Sequence, residues 1–155
     1  MKQNIYLANR LREVYLNGTW IANTNYKVQL LNTSWEQAIK KYGDLNTIAS
    51  LTYHINYYLE GILNVFYGGD LEIRDADSFN ASEIINQNDW LSLVNTFLSN
   101  SKIFANEVEK LSDEALHKIF VNEKYGTYYR NIEGVIEHSY YHLGQIVLIK
   151  KMIAD

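Results

Sequence analysis

Residues 131–153 form the longest helical pattern of the sequence that also contains chemically active side chains, with apolar residues at three- and four-residue spacing. Lys150 and Lys151 stand near its end, where positive charge favours a helix C-terminus. No proline occurs in the 155 residues, so none breaks such a helix from within. The pattern predicts the last helix of a bundle, with a buried stripe of Ile132, Val135, Ile136, Leu143, Ile146 and Ile153.

Two histidines lie at one edge of this stripe. His138 and His142 are four residues apart, so a helix places them one above the other on the same face. Asn131 and Gln145 fall within roughly 60° of His138 at the helical period of about 100° per residue. This edge of the buried face is where we expect a cleft or pocket.

Three further stretches carry helical spacing, and shorter patterns lie between them. The polar connection at about 70–87 has no clear periodicity, and 18 residues are enough to return the chain along a bundle. We therefore predict one all-α domain over residues 1–155, a four-helix bundle with up-down-down-up order and a long crossover between helices two and three. The predicted helices cover 2–16, 26–31, about 34–42, about 47–67, about 88–111, a short stretch near His117, and 131–153; residues 118–130 are predicted to form a small hairpin or ordered loop.

His54 lies at the edge of the apolar stripe in the second long helix, with Tyr58 four residues further on. Its angular offset from the stripe matches that of His138 and His142, so two antiparallel helices could bring the three imidazoles face to face. Three neutral imidazoles bind zinc, nickel, copper or iron and leave coordination positions open. The alternative is that each is a half-buried, hydrogen-bonded histidine. His117, in a short acidic helix, is expected to be a solvated surface residue.

The zinc-protease motif is excluded by the residues around the histidine pair. That motif needs a glutamate directly after the first histidine, whereas Ser139 follows His138 and Glu137 precedes it on the far side of the helix. No carboxylate shares the histidine face in either helix. Any chemistry would therefore depend on water, or on a substrate group such as a thiol, activated by the metal.

The amino-acid composition restricts the kinds of partner that we expect for this protein. The net charge of −4 disfavours a nucleic-acid binder. No apolar run approaches the roughly 18 residues of a membrane span, and the first residues lack the apolar core of a signal peptide. The absence of cysteine suits a cytoplasmic protein. Three tryptophans and thirteen tyrosines have more aromatic surface than one four-helix core can bury. This predicts a homodimer through helix faces opposite the histidine edge.

The order of the histidines resembles the DinB/YfiT-like superfamily of four-helix-bundle metalloproteins. The resemblance is carried by His54 in TIASLTYHINYY and by EHSYYHLGQI, in which a Gly-Gln pair follows His142. It implies the up-down-down-up bundle, a nickel or zinc ion on His54, His138 and His142, and frequent homodimers. Some members resemble transferases or isomerases that use glutathione, mycothiol or bacillithiol. The sequence departs from the simpler pattern at 18–42 and 118–130.

Two functions remain open from the sequence. The first is a metal-dependent enzyme, a transferase, isomerase or hydrolase acting on a small molecule, with Tyr58, Asn131 and Gln145 beside the metal. The second is a bundle that binds a metal in a structural or stress-response role and catalyses nothing.

Overall fold

The computed structural model describes residues 2–154. Within that range the protein contains seven α-helices and no β-strand, so the predicted all-α class is confirmed. Most of the predicted boundaries agree within a few residues. The helices are α1 (Gln3–Arg12), α2 (Tyr26–Leu31), α3 (Trp35–Ile39), α4 (Ile48–Phe66), α5 (Gln87–Lys110), α6 (Asp113–Leu116) and α7 (Tyr128–Met152).

Side-chain caps explain where the helices begin. The Thr47 hydroxyl accepts a hydrogen bond from the backbone N–H of Ser50 at 3.1 Å, which satisfies a free donor at the start of α4. Ser34 and Gln37 form the reciprocal capping box expected before α3. Thr127 caps α7 in the same way, so this helix begins three residues before the predicted residue 131.

The first predicted helix changes from α-helical to π-helical geometry near its end. After α1, the segment Glu13–Asn17 continues as a π-helical turn. Gly18 follows directly, and a Cβ at this position would overlap the backbone and side chain of Glu13. Only glycine therefore fits at the point where the chain leaves the helix.

The buried core lies among α1, α4, α5 and α7, and the shorter helices add side chains to it. Helix α5 packs against α1 and α4, and α7 packs against α4 and α1. Trp90 of α5 is fully buried, and its indole N–H donates to the carbonyl of Thr33 at 2.8 Å, which ties α5 to the α2–α3 segment. Tyr15, Tyr26 and Phe97 form a buried aromatic cluster with ring centroids 5.1–5.6 Å apart.

The crossover between α4 and α5 contains no α-helix, as predicted, and only a short 3₁₀ turn at Asp75–Asp77. It runs back along α4: the backbone N–H of Arg74 donates to the hydroxyl of Tyr57 at 2.9 Å, and Ile73 packs over Gly61. This path carries the crossover towards the histidine of α4.

The loop at 118–127 is closed by one antiparallel bridge between Ile119 and Thr127, without extended strands. Its turn ends at Gly126, whose φ of 71° lies in the left-handed region that glycine adopts without strain. Phe120 is buried beneath the loop, with its ring 5.1 Å from that of Tyr128. Of the two predicted alternatives, the segment is an ordered loop.

None of the helices in residues 2–154 combines the length and the hydropathy needed to cross a membrane.

Candidate metal centre

Helices α4 and α7 bring three histidines together. The Nε2 atom of His138 lies 3.3 Å from Nε2 of His54 and 2.8 Å from Nε2 of His142. One ring nitrogen from each histidine lies within 4.8 Å of the others. His54 and His142 are buried and His138 is partly exposed, so the cluster opens to solvent on the side of His138.

Two of the three distances between ring nitrogens are close to those around a tetrahedral divalent ion; the third pair, His54 and His142, lies within 4.8 Å. Two nitrogens that each lie about 2.0–2.1 Å from such an ion stand about 3.3 Å apart. The distance of 3.3 Å between His54 and His138 meets this requirement, while the 2.8 Å between His138 and His142 has to widen by a few tenths of an ångström.

Gln145 sets the tautomer of His142. Its side-chain oxygen lies 2.6 Å from Nδ1 of His142, and an amide oxygen only accepts hydrogen bonds. With the amide oriented in this way, Nδ1 carries the hydrogen and the Nε2 lone pair points at the other histidines. Gln145 therefore lies next to the histidine cluster and orients the ring of His142.

The electrostatics of the cluster favour neutral imidazoles. Burial, followed by the neighbouring rings of His142 and His54, lowers the pKa of His138 to about 4. Burial is also the main cause that lowers the pKa of His54 and of His142. All three rings are therefore uncharged at pH 7, which is the state that binds a metal.

Tyr58 lies beside His54 and His138. Its ring centroid lies 5.0 Å from that of His54 and 5.4 Å from that of His138, both in edge-on contact. Its hydroxyl donates to the carboxylate of Asp75 at 2.8 Å. Burial and the Asp75 carboxylate raise the pKa of Tyr58, so the phenol keeps its proton at neutral pH.

The crossover adds two side chains to the site that sequence reasoning missed. Asp75 supplies a nearby carboxylate, although none lies on the histidine faces of α4 and α7, and its negative charge acts on His54. The ring of Phe79 stacks on His54 with centroids 4.2 Å apart and planes 13° apart. Nδ1 of His54 is buried and has no hydrogen-bond partner within residues 2–154. Burial lowers the pKa of His54, and the backbone of Ser78 only partly offsets this effect.

Asn131 holds the loop that precedes α7. Its amide donates to the carbonyls of Tyr125 and Thr127, both at 2.8 Å, so it fixes the 118–127 loop to α7. It shares a cavity with Tyr58 and His138. His117 is exposed, stacks on Tyr129 and lies outside the cluster, as predicted.

These features define a helical protein with a three-histidine cluster able to hold a metal ion. The chain belongs to the family described as "protein of unknown function (DUF1572)", whose model matches residues 18–155, including all three histidines of the cluster. No curated protein and no solved structure matches the chain. The family description names no metal, substrate or reaction.

Proposed function

We propose that the protein is a metal-dependent enzyme that acts on a small molecule, with a divalent ion bound by His54, His138 and His142. The observation that carries this proposal is the convergence of three neutral imidazole nitrogens on one point beside an open cleft. Nickel or zinc is the ion that we propose, because both bind imidazole well and the sequence resembles proteins that use them.

The ion would supply a Lewis acid that stabilises negative charge on a substrate. The protein's own residues orient the ligands and handle protons. Gln145 fixes the ring of His142, and Phe79 covers one face of His54. Tyr58 and Asp75 form a hydrogen-bonded pair at the cluster, and we propose that Asp75 accepts a proton from the substrate directly or through the Tyr58 hydroxyl.

For the reaction, we propose transfer or isomerisation of a small electrophilic molecule with a low-molecular-weight thiol as co-substrate. This part follows the resemblance to the DinB/YfiT-like superfamily. Three neutral imidazoles would suit it, because an ion that they hold would lower the pKa of the thiol, and Asp75 would accept the proton that the thiol releases. Hydrolysis is the reaction that we test beside it.

We also propose that the four long helices follow the up-down-down-up order of that superfamily. Residue numbers rise together in the contacts between α4 and α5, where Asn56 bonds to Asn100 and Phe66 packs on Phe104, which supports a parallel pair. The opposite trend supports an antiparallel pair between α5 and the first helix with its π-helical end, where Asn4 bonds to Glu109 and Tyr15 packs on Phe97. Helices α4 and α7 follow the same opposite trend, from the His54–His138 pair to the Phe66–Tyr128 pair.

Elemental analysis tests the metal. We expect about one equivalent of nickel or zinc per chain in the wild type and none in the variant with all three cluster histidines changed to alanine. His117→Ala is the matched control, because His117 is exposed and outside the cluster, and should keep the metal. A wild-type protein that binds none of the first-row divalent metals would refute the site.

Activity separates an enzyme from a metal-stabilised bundle. We expect turnover of electrophiles with glutathione, mycothiol or bacillithiol that a chelator abolishes. Asp75→Asn should keep the metal and the fold but slow turnover by roughly ten- to a thousandfold, the range of a lost proton acceptor. If the panel shows no turnover and the histidine variants lose only thermal stability, the non-catalytic alternative is correct.

Assembly and location are further proposals. We propose a homodimer through faces of the long helices opposite the histidines, because large apolar side chains such as Tyr6, Leu91 and Ile103 are exposed on α1 and α5. Light scattering should give twice the mass of 18.1 kDa, and a mass of one chain would refute the dimer. A cytoplasmic location agrees with a cysteine-free sequence, and cell fractionation tests it.

A further inference from the structure

Two adjoining cavities of about 360 and 380 Å³ lie between α4, the 118–127 loop and α7. Tyr58, Ile62, Lys124, Tyr125 and Asn131 line both of them, so together they form one groove, which we call the histidine cleft. The second cavity reaches His138. These volumes fall in the range of small-molecule sites.

The cavity that reaches His138 has a cationic lining. Lys124 and Arg130 line it, and no carboxylate does so among the described residues. Asp75 lines only the other cavity, where its carboxylate accepts a hydrogen bond from the Tyr58 hydroxyl. In a protein with a net charge of −4 this lining is a local exception, and a concave cationic surface concentrates anions.

The two cations are available to a ligand. The Nζ atom of Lys124 lies 5.4 Å from the centroid of the Tyr125 ring and forms no ion pair within residues 2–154. Arg130 pairs with Glu137 at 3.2 Å, but both side chains are mostly exposed, and such surface pairs contribute little. An incoming carboxylate can therefore take the place of Glu137 at low cost.

The loop that carries Lys124 is held in place over the cleft. Asn131 donates two hydrogen bonds to the carbonyls of Tyr125 and Thr127, and buried Phe120 anchors the other end of the loop. Because these contacts hold both ends of the loop, it presents Lys124 and Tyr125 at low entropic cost on binding.

Gly134 keeps the path to the histidines open. It lines the same cavity, and it lies one helical turn before His138 on the same face of α7. A Cβ at this position would meet no atom within 4 Å, so packing does not require glycine here. A helix-interior glycine costs about 0.5–1 kcal/mol relative to alanine, and open space beside the cluster is what the missing side chain provides.

We propose that the histidine cleft is the substrate site and that it takes a small molecule with an aromatic or apolar body and a carboxylate group. Lys124 and Arg130 bind the carboxylate, the body lies between Tyr58 and Tyr125, and the reacting end passes Gly134 to the histidines. The assignment of this ligand as a substrate rests on the proposed metal-dependent function; the carboxylate site itself does not.

Calorimetry on the zinc-loaded protein with 2-naphthoate and 2-naphthamide tests the charge preference. The two probes have the same shape, and only the first is an anion. We expect 2-naphthoate to bind about tenfold more tightly, and Lys124→Met to remove about that factor while 2-naphthamide is unaffected. Lys102→Met, which removes an exposed lysine of α5 outside the cleft, is the control and should change neither affinity.

Gly134→Leu tests the path. We expect it to abolish binding of both probes while the zinc content stays unchanged. Gly144→Leu is the matched control, because Gly144 lies on the same helix, its Cβ would also meet nothing within 4 Å, and it lines neither cavity of the cleft. Gly144→Leu should bind both probes normally.

Equal affinity for the two probes, binding of neither at millimolar concentration, or normal binding by Gly134→Leu would overturn the proposal. So would 2-naphthoate binding that disappears in the triple-histidine variant but survives Lys124→Met, because the carboxylate would then bind the metal. Lys124-dependent binding in a protein that holds no zinc would support the carboxylate site and refute the metal-dependent function.

Discussion

Replacing Tyr15 with phenylalanine should lower the free energy of unfolding by about 1.5 kcal/mol, because the change leaves a buried acceptor without its donor. Tyr15 is fully buried, and its hydroxyl lies 2.5 Å from the hydroxyl oxygen of Ser139. Ser139 donates its own hydrogen to the carbonyl of Val135 at 2.6 Å, so Tyr15 is the donor in the pair. The phenylalanine ring keeps the contacts with Tyr26 and Phe97, which confines the loss to the polar interaction.

A double-mutant cycle isolates that interaction. Ser139→Ala alone leaves the Tyr15 hydroxyl buried without its acceptor and should cost about 1–3 kcal/mol. The double variant removes both polar groups, so its loss should be smaller than the sum of the single losses by about 1–2 kcal/mol. At the size of this chain, a loss of 1.5 kcal/mol corresponds to a fall in Tm of about 3–6 °C.

Urea unfolding followed by circular dichroism measures these differences, and an unchanged m-value shows that the denatured state is unaffected. Ser101→Ala is the matched control, because the Ser101 hydroxyl is fully buried and donates to the carbonyl of Phe97 as Ser139 does to that of Val135. Its coupling to Tyr15→Phe should be close to zero. Additive effects of Tyr15→Phe and Ser139→Ala would refute the reasoning.

Three further predictions concern other parts of the molecule. Trp90→Phe should lower the free energy of unfolding by about 2–3 kcal/mol in urea, because it leaves a cavity and removes the hydrogen bond to Thr33. Burial raises the pKa of Tyr26 well above its usual value. The free energy of unfolding therefore keeps its full value below about pH 10 and falls as the pH rises further. In Tyr26→Phe, the melting temperature should fall less steeply with pH in the alkaline range. Gln145→Leu should weaken metal binding about 10- to 100-fold in a chelator competition, because His142 loses the acceptor that fixes its tautomer, and unchanged affinity would contradict this role.

The sequence predicted the features that depend on local interactions. A cap such as Thr47 acts within one turn of its own helix, and the apolar stripe of α4 repeats within the same segment, so a short window contains the signal. The grouping of His54 with His138 could also be predicted, because each lies at a matching edge of its stripe and antiparallel packing joins the edges.

The remaining features depend on contacts between distant segments. Asp75 and Phe79 lie in a stretch without periodicity, and they reach the site only because the crossover is held against α4. The acidic pair Asp75 and Asp77 was the only feature of the crossover sequence that indicated a carboxylate at the site. The aromatic residues in the sequence also did not indicate which of them are buried. Trp90 is fully buried while Trp20 is 88% exposed, and the two residues differ only in their surroundings.

The two helices that supply the histidines are far apart along the chain. An ion that joins His54 to His138 would close a loop of 84 residues. By the chain-entropy relation for cross-links, a link that stayed closed in the unfolded chain would remove about 4.6 kcal/mol of freedom from the denatured ensemble, as a long-range disulfide does. An ion that is released on unfolding would instead stabilise the folded protein to an extent that rises with its free concentration relative to its dissociation constant. In a protein without cysteine, the metal would thus act as a removable link between α4 and α7, and stability would depend on the metal supply.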